Sequence, residues 1–400
     1  MACWNRRWLT GLLLLTLLVT GCWDRREPEL LAFVLAVGLD KDPTTEEYKI
    51  VAQIYNPLAM AQEMGGGGSQ KKPAWVIEAR GKTPYEARQN LAPKSSRELF
   101  WAHTGIVLLG ENLARTGIRP VLDLFERERQ LRLIARPLVV TGDMKKILAS
   151  EFPLEETSGN ALLRQVQTGQ LTSSISPVLE TRELINTLSQ PGYELLIAQL
   201  KGSSEDGDGD SEEGSAIDAP PPIYLGGGAA FRGDRMVGWL DNRESRGWHW
   251  VAGKVRRATL TVSSPVDEQP VSVEIIWARP SVEPEVNGDK VLVKVKVQVQ
   301  GRVQDMVSGA DVVLKEEELT SLERRTATVI KNEIMLAVRR AQELNSDIFG
   351  FGNGIYRLKP KEWERLEPRW PEMFSKLDVE LDVRAKITVS GLIKEPAGIK

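Results

Sequence analysis

Between Val291 and Gln300 valine recurs at every second position, at 291, 293, 295, 297 and 299, while Lys294, Lys296, Gln298 and Gln300 fall between them. Successive side chains of a strand point to opposite faces, so this stretch makes a strand with one packed face and one wet face. Such a strand calls for an antiparallel sheet with an apolar element laid on it. Leu314 to Leu344 supplies that element. Leu319, Leu322, Ile330, Ile334, Ala337, Val338 and Ala341 form one helical stripe, and the helix would span about 46 Å. Val379 to Val389 alternates again and closes the sheet. The expected fold is therefore α+β and multi-domain, with mixed or antiparallel sheets flanked by helices. One long helix, 314–344, packs on an antiparallel sheet near the C-terminus.

The earlier chain reads differently. Leu31 to Leu39 is a nearly continuous apolar run and reads as a buried strand. Lys49 to Tyr55, Trp75 to Ala79 and Ile106 to Leu109 read as further strands. Thr83-Pro84-Tyr85-Glu86 has the N-cap, the proline and the acid that open a helix. Val121 to Arg129 reads as an amphipathic helix. Ile134 to Val140 returns as a strand, and Pro137 suggests an edge position for it. Residues 143–200 read as mainly helical, ending in a strand from Glu194 to Leu200. Ile223 to Phe231 and Met236 to Trp239 form a hairpin around Gly233-Asp234. Val251 to Val262 and Val271 to Trp277 read as strands.

A chain of 400 residues exceeds what one core usually holds. The expected division is a leader over 1–21, an N-terminal α/β domain over 22–142, a middle domain over 143–245 and a C-terminal α+β domain over 246–400. Residues 201–222 are rich in Gly, Ser, Asp and Glu, an acidic insertion too polar to bury.

The leader sets the compartment. Arg6 and Arg7 precede an apolar run from Trp8 to Val19, which as a helix would rise about 18 Å, well short of a bilayer's hydrocarbon core. Val19-Thr20-Gly21-Cys22 then reads as a bacterial lipobox. Cleavage after Gly21 would leave Cys22 at the N-terminus, carrying a diacylglyceryl group. Cys3 lies in the leader, so Cys22 would be the mature chain's only thiol, and acylation accounts for its lack of a partner. Two acyl chains suffice for stable anchoring. The 52 basic side chains less Arg6 and Arg7 leave 50 against 55 acidic ones, a net −5, which neither attracts anionic lipid nor suits nucleic acid.

No chemistry stands out beyond the lipid. Asp206, Asp208 and Asp210 imitate a calcium loop, but Ser211 stands where glycine belongs and Ile217 where the last carboxylate belongs. His103 and His249 have no third ligand at metal spacing. There is no Gly-x-Ser-x-Gly elbow. Gly226-Gly227-Gly228 lacks the ending of a phosphate loop, and Gly350-Phe351-Gly352-Asn353-Gly354 follows a helix instead of a strand. Neither an enzyme nor a metal or other cofactor is expected. Trp239, Trp248 and Trp250 cluster with His249, and Trp363 and Trp370 flank a proline-bearing turn. These aromatics read first as core and second as interface anchors.

The ordered motifs resemble the Ger(x)C-type spore-germination lipoproteins, the C subunits of germinant receptors. Gly21-Cys22-Trp23-Asp24-Arg25-Arg26-Glu27 is similar to that family's opening, and Val37-Gly38-Leu39-Asp40 to its first strand. Ala79 to Ala87, the stretch from His103 to Gly117, and Gly228 to Phe231 with Val237-Gly238-Trp239-Leu240 resemble later parts. Asp347-Ile348-Phe349-Gly350-Phe351-Gly352, with Pro360 and Trp363, resembles the segment after the family's long helix. The resemblance implies three domains and a lipid-anchored place on the outer face of the spore's inner membrane, in complex with two integral membrane subunits. It makes Trp23, Asp24, Arg25, Glu27, His103, Trp239, Phe349, Gly350, Phe351, Gly352 and Trp363 candidates for structure or interface. Direct nutrient binding by this chain is not expected, since no ligand-binding constellation emerges. Two other classes share the lipobox and the size: a ligand-binding lipoprotein of an importer, and an envelope hydrolase, for which the nucleophile and metal ligands are missing.

Overall fold

The computed structural model describes residues 27–56, 72–172, 174–202, 223–307 and 315–389. Cys22, the lipobox Val19-Thr20-Gly21, Trp23, Asp24, Arg25 and most of the acidic insertion lie outside the described residues.

Nine strands build the first sheet: β1 (Leu31–Lys41), β2 (Tyr48–Tyr55), β3 (Ala74–Gly81), β4 (Glu98–Phe100), β5 (Ile106–Gly110), β6 (Arg136–Val140), β7 (Leu196–Gly202), β8 (Ile223–Arg232) and β9 (Arg235–Leu240). Their order is β3-β2-β1-β5-β6-β7-β8-β9, with β4 beside β1. The centre, β1-β5-β6-β7, is parallel, and antiparallel strands flank it on both sides. Central parallel strands are covered on both faces, which is why β1 is apolar almost throughout. Alternate residues serve two cores. Val107, Leu109, Val139 and Ile197 pack under α1 (Pro84–Gln89), α2 (Glu111–Thr116), α3 (Arg119–Arg127) and α6 (Thr181–Leu188). Ile106, Leu108, Leu138 and Ala198 meet α4 (Met144–Ala149) and α5 (Ser158–Thr172) on the other face.

Two features of this sheet differ from expectation. Pro137 does not mark an edge, because β6 lies between β5 and β7. The N–H of Arg136 donates to Gly105 on the β5 side, so the nitrogen of Pro137 faces the other way. There β7 pairs only with Val139 and Val140, and no ladder bond is lost. The sheet also runs across the boundary expected at 142/143, since β6 and β7 are adjacent.

The second sheet is β10 (Ala258–Ser263), β11 (Pro270–Asn287), β12 (Lys290–Met306) and β13 (Asp378–Val389), in that order. Val293, Val295, Val297 and Val299 are buried beneath the 28-residue helix α8 (Glu316–Glu343), against its Leu322, Ile330, Ile334 and Val338. The sheet under this helix is mixed, not antiparallel, because β13 pairs with β12 in parallel. A helix between two strands carries the chain back to where the first began, so the second runs the same way. The segment around Val251 is a helix, α7 (Asn242–Ala252), where a strand was expected. Asp241 and Glu244 cap it reciprocally, and Gly253 ends it in the left-handed conformation.

Candidate functional site: the joint between the two sheets

After α8 the chain turns sharply through Asn345 and Gly350, both at positive φ, and enters α9 (Phe351–Leu358), α10 (Pro360–Leu366) and α11 (Trp370–Phe374). The turn, residues 346–353, is stitched to the chain entering β7. The N–H of Glu194 donates to the Asp347 carbonyl at 3.0 Å, and that of Asn353 to the Gly192 carbonyl at 2.9 Å. The Asn353 amide donates to the Pro191 carbonyl at 3.1 Å. The Ser346 hydroxyl donates to the Phe231 carbonyl on β8, and the Trp248 indole of α7 to the Ile348 carbonyl at 2.7 Å. Glycine makes the approach possible. A Cβ on Gly192, at positive φ, would lie 2.7 Å from the Gly352 backbone, and one on Gly352 would lie 2.7 Å from the Trp370 indole nitrogen.

Asp347 organises the turn. Its buried carboxylate accepts from the N–H groups of Phe351 at 3.0 Å and Gly352 at 2.8 Å, and from the Trp370 indole at 3.0 Å. The first two are donors that the start of α9 leaves unpaired. Burial pushes the Asp347 carboxyl up to about 6, although these donors pull the other way. Glu194 lies close by, with one oxygen accepting from the Gly233 N–H at 2.6 Å. Burial first, and the charge of Asp347 among the lesser causes, push Glu194 up to about 7. Tyr193, packed on Gly350, is raised by burial too. Around the carboxylate Trp363 meets Trp370 edge-on at 5.5 Å, and Phe349 stacks on Phe351 at 5.1 Å.

A second contact ties α8 to α7. The Arg246 guanidinium forks onto buried Glu333, its Nε 3.1 and 3.0 Å from the two oxygens, and the Trp250 indole donates to Glu333 at 2.8 Å. Gly247 lets the helices touch, since a Cβ there would lie 2.1 Å from the Glu333 carbonyl. Arg340 of α8 reaches the Trp239 carbonyl of β9 at 3.0 Å. His249, on the far side of α7, bonds the Ser245 carbonyl at 2.8 Å, and burial pushes it down to about 4.

The joint thus gathers Phe349, Gly350, Phe351, Gly352 and Trp363, with Trp239 at its margin. His103 and Glu27 are elsewhere. His103 is exposed beside the Phe33 and Phe100 rings, and Glu27 is exposed at the start of a short turn. Gly192, Glu194, Arg246, Glu333 and the role of Asp347 were not singled out from sequence. An acid followed at four and five residues by the amides of Phe351 and Gly352 was the readable signal for the last. Chemically the joint binds one half of the chain to the other. Among the described residues no three His, Cys, Asp or Glu side chains are grouped to hold a metal ion. A cavity of about 650 Å³ beside α5 and β8 is lined mainly by apolar groups such as Phe152, Leu154 and Leu225.

Residues 24–201 match the family described as spore germination protein N-terminal domain, and residues 226–391 match spore germination B3/GerAC like, C-terminal. The chain belongs to the Ger(x)C spore-germination family. It is 28% identical over 402 residues to spore germination protein KC of Bacillus subtilis (strain 168), covering 97% of each chain. It is 23% identical to spore germination protein B3 of the same organism, over 94% of this chain and 96% of that one. The solved structure of the GerBC protein superimposes with a TM-score of 0.57 at 19% identity, over 88% of this chain and 97% of that one, a likeness of fold. The two family matches meet across the acidic insertion. The turn that closes the joint, residues 346–353, lies within the matched C-terminal region.

Proposed function

We propose that this chain is a lipid-anchored, non-enzymatic subunit of a nutrient germinant receptor that acts by assembly with two integral membrane subunits. One observation carries the reading: the family motif at 347–352 is spent on joining the two sheets, with its polar groups turned inward on the chain itself. A body held together in this way offers a fixed outer surface to partners. The diacylglyceryl group that the lipobox Val19-Thr20-Gly21 assigns to Cys22 provides the attachment. That lipid would hold the body on the outer face of the spore's inner membrane. An importer's binding component would set a ligand cleft between two doubly wound lobes. Here one half is a nine-stranded sheet and the other a four-stranded sheet under a long helix, not two like lobes, and the buried joint lies between them.

A strain carrying Cys22→Ala tests the anchor. The expected result is loss of the chain from the inner-membrane fraction together with a failed nutrient response. Unchanged retention and an unchanged response would contradict the reading.

A further inference from the structure

β13 is the last strand of its sheet and pairs with β12 on one side. Among the described residues no strand lies on its other side. The N–H of Ile387 points outward, since it donates to the Glu323 carboxylate at 3.0 Å. Backbone groups of a strand alternate in direction, so Val379, Leu381, Val383 and Ala385 also face outward. Open edges are commonly blunted by proline or by charge. The arm of β11 that extends past β10 carries Pro280 and Pro284. β13 carries no proline, and its charges are ordered.

On its exposed face β13 reads Asp378, Glu380, Asp382, Arg384, Lys386 and Thr388, three acids and then two bases and a threonine. The sheet beside it already alternates in sign. Glu285 pairs with Lys294 at 2.9 Å and Glu283 with Lys296 at 3.1 Å, and those lysines lie in register with Glu380 and Asp382. A fifth strand would continue the alternation if it set bases opposite Glu380 and Asp382. The strand that does so is β13 itself, turned antiparallel about Val383. Lys386 of the second copy then faces Glu380, and its Arg384 faces Asp382. On the other face Val379 meets Ile387, whose N–H exchanges the Glu323 carboxylate for the Val379 carbonyl, Leu381 meets Ala385, and Val383 meets itself. Other registers fail. Parallel pairing in register sets like charges together, a slip of one residue sets charged against apolar positions, and a slip of two sets Asp382 or Arg384 against itself. Arg384 reaches back to Asp382 at 2.9 Å and Lys386 to Glu323 at 3.1 Å, yet both bases remain about three-quarters exposed.

We infer that two copies of this chain join edge to edge through β13, antiparallel about a two-fold axis at Val383, to make one continuous eight-stranded sheet. One strand pair buries little area, so the association is weak and salt-sensitive.

The test uses the whole mature chain, residues 22–400, with Cys22→Ser so that neither lipid nor thiol can link copies. Sedimentation equilibrium at low salt, up to several hundred micromolar, should show a monomer–dimer equilibrium. The variant Glu380→Lys/Asp382→Arg, which sets bases against bases, and the variant Arg384→Asp/Lys386→Glu, which sets acids against acids, should each weaken self-association at least tenfold. Their equimolar mixture should restore a dimer. These positions are exposed, and a circular dichroism spectrum matching the parent's separates lost pairing from lost fold. A parent chain that stays monomeric throughout, a dimer that survives in both variants, or a mixture that fails to associate would each overturn the inference.

Discussion

Glu333 and Asp347 are both buried carboxylates, and they are held in opposite ways. Glu333 lies between α7 and α8 with a guanidinium forked onto it and an indole N–H beside it. Asp347 lies in the joint with N–H donors from its own turn and from Trp370. One charge is balanced by a charge; the other rests on dipoles alone. Balanced charge makes a contact that does not survive the loss of a partner. Dipole-held charge makes a contact whose strength follows protonation. The helix pair therefore depends on both partners being present, and the joint is the contact that pH tunes.

The sharpest way to break the helix pair is Gly247→Val. Its new methyl groups would meet the α8 backbone, and we expect a loss above about 4 kcal/mol, read as a collapsed urea midpoint or no soluble protein. Glu333→Ala should remove about 3–5 kcal/mol by stranding Arg246, whereas replacing both by methionine should restore most of it. Recovery in the double variant would locate the penalty in the unpaired cation. At the joint, Asp347→Ala leaves buried N–H donors unmatched and should remove roughly 2–4 kcal/mol, while Asp347→Asn, which keeps an oxygen, should remove less than half of that.

The smallest effect is the pH dependence. Glu194 binds its proton more tightly folded than unfolded, so the folded state holds more protons between about 4.5 and 7. Stability must then fall as pH rises through that window, by at most about 3 kcal/mol and by less once solvent screening is counted. Asp347 acts in the same direction between about 4 and 6. Glu194→Gln keeps the bond from Gly233 and should flatten the urea-midpoint profile from pH 5 to 8. An unaltered slope in that variant would show that the joint does not titrate there.

Where one residue type repeats at the period of its element, the fold was legible. The valines of β12 and the stripe of α8 are found as read, and α8 spans Glu316–Glu343 against the expected 314–344. Pairing direction was not legible, since β13 alternates whether it runs parallel or antiparallel to β12. The helix α7 was obscured because Trp248, Trp250 and Val251 suit a strand as well as a helix. Its capping pair, Asp241 with Glu244, was the available sign. For the site, the motif at 347–352 was visible as a string of residues, but not as a joint. Its partners Gly192 and Glu194 lie more than 150 residues earlier, and only the folded chain brings them to Asp347.

The central claim, a subunit that works by assembly, is tested most directly by recovering the lipidated chain from detergent-solubilised spore inner membrane and identifying what accompanies it by mass spectrometry. Two integral membrane subunits should come with it, in constant proportion across preparations. Recovery of the chain alone, or with the components of an importer, would contradict the account.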